Sequence, residues 1–253
     1  MTLVAVAVLF GLIVGSFLNV CIYRLPRKQS IVWPASRCTS CGRELAWFEN
    51  VPVFGWLALG GRCRTCREPV SAMYPIVETV TGILFGAAMY WYGPTPLGFV
   101  RTAFGCAMVV LFVIDLQHRI LPNAITVPGA VIGLVISVFL PPGWISSLIG
   151  VLVGGGVLFA VGEAYYRVRG VDGLGMGDVK MLAMIGAFLG WQLALVTLIL
   201  ASFGGAVLGI GLLSTGRGGM QAALPFGTFL AVGAAIAAVA GDPLVTWYMG
   251  FYR

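Results

Sequence analysis

Gly175-Met176-Gly177-Asp178-Val179-Lys180 lies where a polar loop meets a long apolar run. A carboxylate at the end of a membrane segment is costly, so Asp178 is a functional candidate by default. The two glycines of this stretch weaken a helix and let another chain approach the backbone closely. A structural role is the alternative, because Asp is a preferred N-cap and could cap a helix entered at Val179. The two roles are compatible.

The composition indicates a multi-pass membrane protein. Apolar residues make up 59% of the 253 residues and charged residues only 9%, with a mean hydropathy of +0.98. Ordinary soluble domains carry about 25% charged residues. A chain of this length could hold about eight spans of ~20 residues and one modest polar domain. The N-terminal apolar run has no basic n-region, so we interpret it as a retained first helix and not as a signal peptide.

We expect an all-α fold with about eight transmembrane helices and a polar insert between the first two. The predicted domains are residues 1–23 (first helix), 24–73 (four-cysteine insert) and 74–253 (transmembrane core). Gly190-Trp191-Gln192 is expected to divide a long apolar run into a short sixth helix and a full seventh. The predicted spans are Leu3–Tyr23, Tyr74–Tyr92, Leu97–Ile114, Ala124–Leu140, Trp144–Tyr165, the two parts of Val179–Leu213, and Pro225–Ala240.

Basic residues are concentrated between the first two apolar runs of a chain whose net charge is +6. The positive-inside rule explains this with fewer assumptions than a nucleic-acid footprint, so we expect no nucleic-acid partner. It places the insert in the cytosol, both termini outside, and Asp115 and Asp178 on the cytosolic face. The residues assigned to the inside are Arg24, Arg27, Lys28, Arg37, Arg43, Arg62, Arg64, Arg67, Arg119, Arg167, Arg169, Lys180 and Arg217; only Arg101 and Arg253 fall outside.

Asp115 is the candidate partner of Asp178. It ends an apolar span and begins a predicted polar loop, Asp115–Asn123. Two carboxylates in one site repel when both are ionised, so such a pair tends to share a proton. The ionised member can activate water while the protonated member donates to a scissile carbonyl oxygen. The alternative is a solvated loop acid paired with Arg119.

The insert carries two Cys-x-x-Cys motifs, Cys38-Thr39-Ser40-Cys41 and Cys63-Arg64-Thr65-Cys66. This spacing predicts one tetrahedral four-cysteine site, which we expect to bind Zn²⁺. Four thiolates close the coordination shell, so the metal would be structural and would supply folding free energy to an insert with little apolar mass. Redox dithiols are the alternative, but the βαβ pattern expected around them is missing from the sequence.

Two acidic residues lie about one turn inside predicted cytosolic helix ends. Glu78 and Glu163 could each pair with a basic residue such as Arg167 or tune the electrostatics of the aspartate site. The glycine-rich runs Gly154–Gly156 and Gly204–Gly205 favour close helix packing. No dinucleotide or Walker motif is present in the sequence, so we expect no nucleotide binding of that kind.

The ordered set of these features resembles the type IV prepilin peptidase family, the bacterial GxGD membrane aspartyl proteases. The resemblance runs along nearly the whole chain, and the set is far more specific than any one motif. The motifs that carry it are Gly15-Ser16-Phe17-Leu18-Asn19-Val20, Tyr23-Arg24-Leu25-Pro26, the two cysteine pairs, Tyr74-Pro75-Ile76-Val77-Glu78, Asp115 with Leu121-Pro122, Gly175–Lys180, and Pro225-Phe226-Gly227.

The resemblance implies that Asp115 and Asp178 are the catalytic pair, with active-site support from Gly175, Gly177, Lys180, Glu78 and Glu163. The substrate would be a prepilin or type II secretion pseudopilin, whose short basic leader is removed at the cytosolic face of the bacterial inner membrane. Relatives with the cysteine insert commonly also methylate the new N-terminus with S-adenosylmethionine. One departure is Asn123, where many relatives have an acid.

Three other interpretations stay open at this level. The chain could be a peptidase without methyltransferase activity, or a presenilin-like protease that cuts within helices. It could also be an ion-coupled transporter, because intramembrane acids often mark ion pathways. Against the last, both aspartates lie at one membrane face, and no inverted repeat with broken helices is apparent. Besides substrate, lipid is the expected partner; the sequence makes no prediction of oligomeric state.

Overall fold

The structure is a computed structural model that describes residues 1–171, 173–215 and 225–250. Within these ranges the fold is all-α, and extended pairing is limited to two isolated bridges in the insert. The helices are α1 (Thr2–Arg24), α2 (Phe54–Ala58), α3 (Met73–Tyr92), α4 (Pro96–His118), α5 (Asn123–Ile136), α6 (Trp144–Arg169), α7 (Met176–Ser214) and α8 (Phe226–Gly250), with a 3₁₀ turn at Trp47–Asn50. Arg217 and Arg253, used in the charge argument, lie outside the described residues.

The all-α membrane character is confirmed. Five of the helices in the described ranges are long and apolar enough to cross a membrane, and the shorter α5 is also apolar. The expected count of eight spans is therefore matched only approximately.

The predicted break at Gly190 is confirmed. Backbone angles of φ 82° and ψ 171° interrupt the 39-residue α7 at this residue. Residues with a side chain rarely adopt a positive φ, and a Cβ at Gly190 would also lie 2.5 Å from Ser146 Oγ. Glycine is therefore required where α7 changes direction.

Three predicted loop boundaries were wrong. The segment Asp115–Asn123 is not all loop, because α4 continues to His118 and ends at Arg119, whose φ is 54° and whose N–H donates to Asp115 O at 2.8 Å. Before Pro122 no residue in this stretch is a strong helix breaker, so the polar side chains do not end the helix.

The loop between the predicted spans Trp144–Tyr165 and Val179–Leu213 is likewise shorter than expected. Helix α6 continues to Arg169 and ends at Gly170, which has φ 70° and donates its N–H to Tyr166 O at 2.7 Å. The basic last turn of α6 complements the negative end of the helix dipole, and glycine supplies the left-handed C-terminal residue. At the other end of the loop, α7 begins at Met176 and so includes Asp178.

The predicted fourth span was too long. Helix α5 covers only Asn123–Ile136, and turns occupy the residues up to Leu140. The hydroxyl of Ser137, just beyond the helix, donates to Leu134 O at 2.7 Å. Such back-bonding by serine competes with helix continuation shortly before the Pro141-Pro142 pair.

The chain forms two compact units, Met1–Val110 and Leu111–Arg253, with the boundary inside α4. In the first unit α1 packs against α3. The approach is close enough that a Cβ at Gly15 would lie 2.6 Å from Glu78 Cα. The domain limits expected at residues 24 and 74 stay a prediction.

In the second unit α7 packs against α5, α6 and α8. The expected role of glycines is confirmed at Gly154, where a Cβ would lie 2.7 Å from Leu182 O, and at Gly204, where it would lie 3.2 Å from the Phe229 ring. Close backbone approach of this kind lets membrane helices gain van der Waals contact. Helix α7 is therefore the central element of the unit that carries both aspartates.

Candidate active site

Asp115 is held at the N-terminus of α8. The residue is only 5% exposed, and its Oδ2 accepts the backbone N–H of Thr228 at 2.8 Å. The first N–H groups of a helix lack intrahelical partners and carry partial positive charge. The start of α8 therefore fixes the position of this carboxylate.

The Thr228 hydroxyl lies 3.3 Å from the same Asp115 oxygen but also makes a shorter contact with Pro225 O. A hydroxyl has one proton to donate. The shorter contact takes that proton, so the backbone N–H of Thr228 provides the main anchor of Asp115.

Gly227 leaves the space that this arrangement needs. A Cβ at Gly227 would lie 2.9 Å from both Asp115 Oδ2 and Leu121 Cδ1. Contacts this short require the neighbours to move. The glycine of Pro225-Phe226-Gly227 thus allows a carboxylate to approach the helix start.

Replacing Gly227 with alanine should displace the Asp115 carboxylate and lower leader cleavage by about 10- to 100-fold, because small misplacements of catalytic groups are expensive. The measurement is the rate of leader removal from a prepilin in detergent. Gly156→Ala is the matched control, since a Cβ at Gly156 in α6 would meet nothing within 4 Å. Equal rates for the two variants would contradict the assignment.

Asp178 is the third residue of α7 and not its N-cap. The cap is Gly175, whose carbonyl accepts the Asp178 N–H at 3.0 Å, so the alternative interpretation of Asp178 as the helix cap was wrong. The half-buried Asp178 carboxylate interacts with the Gly175 backbone amide and electrostatically with Asp115. The structure thus brings the two predicted aspartates together at the starts of α7 and α8.

Leu121 lies between these two helix starts. Its Cδ1 is next to Gly227, and a Cβ at Gly177 would lie 3.0 Å from Leu121 Cβ. Leu121 therefore packs against the glycine beside each aspartate. Gly177 serves close packing here, whereas Gly175 is exposed.

The remaining predicted support residues make other contacts. Lys180 Nζ donates to Asn123 Oδ1 at 3.0 Å, so asparagine supplies an acceptor at the position where relatives were expected to have an acid. Glu163 forms an exposed salt bridge with Arg167 at 2.7 Å, which is the pairing that the sequence allowed. Glu78 lies in the first compact unit.

Thr228 and Leu121 are site residues to which sequence reasoning assigned no role. The sequence offered only weak evidence for a role of Thr228. This residue directly follows Pro225-Phe226-Gly227, and threonine is favoured at the starts of helices. Its partner Asp115 is 113 residues away in the chain, so only the fold reveals their contact.

The four cysteines of the insert form one cluster. The Sγ atoms of Cys38, Cys41, Cys63 and Cys66 all lie within 4.8 Å of one another, and those of Cys38 and Cys66 are 3.8 Å apart. Four Zn–S bonds of about 2.3 Å in a tetrahedron separate the sulfurs by about 3.8 Å. The cluster therefore has the dimensions of a tetrahedral thiolate site, and the sulfurs do not form two separate dithiols.

Both cysteine motifs use the same backbone turn. Cys38 N–H donates to Arg43 O, and Cys63 N–H donates to Glu68 O, each at 2.9 Å. The residue four positions after each first cysteine has a positive φ, 72° at Gly42 and 61° at Arg67. In the second turn the N–H groups of Cys66 and Thr65 lower the pKa of Cys63, whereas burial and the neighbouring cysteines raise the pKa of Cys66. Cys63 is therefore the thiol of this motif that ionises more readily.

The polar residues around the cluster are also ordered. Glu49, with a side chain only 2% exposed, accepts Arg43 Nη2 at 2.7 Å and the Ala46 N–H at 2.8 Å. The hydrogen bond from Arg43 is the main reason that the pKa of Glu49 is lowered. This partly buried pair gives the insert a fixed link next to the four cysteines.

Comparisons with known proteins identify the family to which the chain belongs. Residues 9–92 match the model of the bacterial peptidase A24 N-terminal domain, and residues 102–210 match that of the type IV leader peptidase family. None of the solved structures matches the chain significantly.

Several curated relatives carry the name prepilin leader peptidase/N-methyltransferase. The Pseudomonas putida protein is 35% identical over 95% of this chain and 92% of its own, and that of Aeromonas hydrophila is 35% identical over 95% and 92%. The Myxococcus xanthus protein is 45% identical over 83% of this chain and 63% of its own. This chain belongs to the type IV leader peptidase family.

Proposed function

We propose that this protein removes the short basic leader of type IV prepilins or type II secretion pseudopilins and then N-methylates the new N-terminus with S-adenosylmethionine. The observation that carries the peptidase is the meeting of Asp115 and Asp178 at the starts of two helices. Relatives named prepilin leader peptidase/N-methyltransferase, matched along almost the whole chain, support both activities.

The two aspartates would act as one unit that shares a proton. The ionised member takes a proton from water as the water attacks the scissile carbonyl, and the protonated member donates to the carbonyl oxygen. When the tetrahedral intermediate collapses, the amine of the mature pilin leaves with a proton from the pair. This cycle needs no nucleophilic side chain, and Thr228 supports it by holding Asp115 in position.

The proposed location is the bacterial inner membrane, with the insert and both aspartates on the cytosolic side and both termini outside. The distribution of basic residues in the sequence supports this sidedness. The five membrane-length helices among the described residues support a multi-pass membrane protein. A peptide bond inside a transmembrane helix is shielded by its own hydrogen bonds and by lipid. A cut next to the leader at the interface avoids most of that unwinding.

We also propose that the cysteine cluster binds a structural zinc ion. Cys38, Cys41, Cys63 and Cys66 supply four ligand atoms at fitting distances, and N–H groups directed at Cys63 favour its thiolate form. Zinc in such a closed site would fold the insert and would take no part in proteolysis.

Gly175 and Gly177 have no side chains, so an extended substrate segment could approach the backbone beside Asp178. Replacing either residue with valine should reduce the rate of leader cleavage at least about tenfold. A β-branched side chain would block the approach of the substrate to the backbone beside Asp178 and would strain the start of α7. A Cβ at Gly175 would lie 3.1 Å from Asp178 Oδ2, and one at Gly177 would meet Leu121. Cleavage assays on membranes with equal amounts of each variant would measure this; unchanged rates would contradict it.

The whole proposal is tested by incubating purified protein with a prepilin and S-adenosylmethionine and weighing the products by intact mass spectrometry. Loss of the leader plus one methyl group is expected. Leader loss without the methyl mass would leave a peptidase alone, and a mid-helix fragment would indicate a presenilin-like cut. Cleavage in detergent without any ion gradient would exclude transport as the main function.

A further inference from the structure

Large apolar side chains of the cysteine insert are exposed on its surface. In the 3₁₀ turn Trp47 is 82% exposed, and in α2 Phe54 and Leu57 are 64% and 58% exposed. Phe48, whose ring lies edge-on to that of Trp47 at 5.8 Å, is exposed as well. Exposed apolar patches mark sites of contact with proteins or membranes. We call these four residues the apolar patch.

The apolar patch is formed by two neighbouring elements. Helix α2 packs against the 3₁₀ turn, where a Cβ at Gly55 would lie only 2.5 Å from Glu49 O. Residues three apart share one face of a helix, so Phe54 and Leu57 form the exposed face of α2. Trp56 lies on a different face and lines a cavity inside the first compact unit.

A hydrogen bond fixes the depth of α2 beside the membrane helices. Val53, directly before α2, donates its N–H to Glu78 Oε2 at 2.7 Å. Glu78 lies about 7.5 Å along α3 from its start at Met73, at a rise of 1.5 Å per residue. The neighbouring Gly15 lies about 13 Å before the end of the membrane-length α1. The start of α2 therefore lies at the level of the helices and not beyond their ends.

The face of α3 at the same depth is also apolar. Ile76 and Val80, on the turn that carries Glu78, are exposed, and so is Ile83 one turn further along. Helix α3 packs against α1 on its other side, so this face is left for lipid. An apolar patch at this level would be costly in water and is stabilised by lipid for the same reason.

Exposed arginines accompany the apolar patch. Arg64 Cζ lies 5.4 Å from the centre of the Phe48 ring, and Arg62 and Arg67 are exposed nearby in the chain. In the described part of the chain, none of these three arginines forms an ion pair, whereas the exposed Arg37 does. Anionic lipids attract such basic residues, and arginine can lay its stem along apolar surface while its charge stays with phosphates.

We propose that the apolar patch is embedded in the boundary between headgroups and acyl chains of the leaflet at which α1 ends and α3 begins. Arg62, Arg64 and Arg67 then lie beside the phosphates of anionic phospholipids. Interfacial segments bury their apolar side about 5–10 Å into this boundary, which agrees with the depth of Val53. The basic leader of a prepilin would be repelled by the same arginines, so lipid fits this surface better than substrate.

The first test labels the unmodified protein in nanodiscs of phosphatidylethanolamine and phosphatidylglycerol. A trace of phosphatidylglycerol carries a diazirine in its acyl chain, and mass spectrometry locates the lipid adducts after irradiation. Phe54 and Leu57 should be labelled, and Trp56 at least about tenfold less, because it faces the cavity and not the lipid. Ile83, on the exposed face of α3, shows that the reaction works.

Label at Ile83 without label in the apolar patch would overturn the proposal and leave this surface to water or to a second copy of the chain. Saturating prepilin should not change the labelling of Phe54. Loss of that label on adding prepilin would assign the apolar patch to the substrate and would also overturn the proposal.

The second test concerns the arginines. Labelling of Phe54 by the phosphatidylglycerol probe is divided by its labelling by a matched phosphatidylcholine probe, which has no net charge. The ratio should fall at least about 1.5-fold in Arg64→Gln, because one charge beside Phe48 is lost. Arg37→Gln, at an arginine already paired with Glu44, is the matched control and should keep the ratio. Equal ratios in Arg64→Gln and the parent would overturn the contact of this arginine with lipid phosphates.

Discussion

Asp115→Asn and Asp178→Asn should each abolish leader removal, with a fall of at least about 10³-fold in cleavage rate, because each removes a group that transfers protons. Asparagine keeps the shape of the side chain and an acceptor for the Thr228 N–H. The variants should therefore remain folded and inserted in the membrane while the chemistry stops.

The double variant should be no slower than either single variant. Substitutions of groups that act as one unit have strongly non-additive effects on rate. Removing the second aspartate from a pair that is already inactive should therefore lower the cleavage rate little further. Rates measured by the mass of the released leader would check this. Asp242→Asn is the matched control, at an exposed aspartate within α8. Cleavage that survives in both single variants would contradict the two-aspartate mechanism.

Much of the fold could be predicted because membrane spans follow from hydropathy and breaks follow from glycine. The interruption at Gly190 is an example, since its positive φ is a local property that the sequence signals directly. The clustering of the four cysteines was equally predictable, because a four-cysteine site needs a fixed spacing within each pair. The ends of the helices were harder to predict from the sequence. Helix α4 continues past Asp115 to His118, because polar residues alone do not end a helix.

The contacts of the candidate site could not be predicted in this way. Thr228 meets Asp115 only after α4 and α8 have packed, and no local pattern reports a contact over 113 residues. The partner of Lys180 is a further example. Its position within the Gly-x-Gly-Asp stretch suggested support for the aspartates, whereas it donates to Asn123 at the start of α5. Long side chains reach neighbours that chain order does not indicate.

Removing the zinc ion that we expect in the cysteine cluster should unfold the insert. We expect one zinc per chain in the purified protein and its loss in Cys63→Ser, because serine is a poor ligand in a thiolate site. Structural zinc contributes about 10–16 kcal/mol of apparent folding free energy in small modules. The insert has only a 3₁₀ turn and the five-residue α2 as regular helix, so without zinc it should unfold.

Limited proteolysis and metal analysis would measure this together. Cys63→Ser should lose its zinc and be cut within residues 24–72, and a strong chelator should do the same to the parent. The matched control is Cys106→Ser, which changes a half-buried cysteine of α4 outside the cluster and should keep both the metal and the protease resistance. An insert that stays protease-resistant after complete metal removal would contradict the structural role of the cluster.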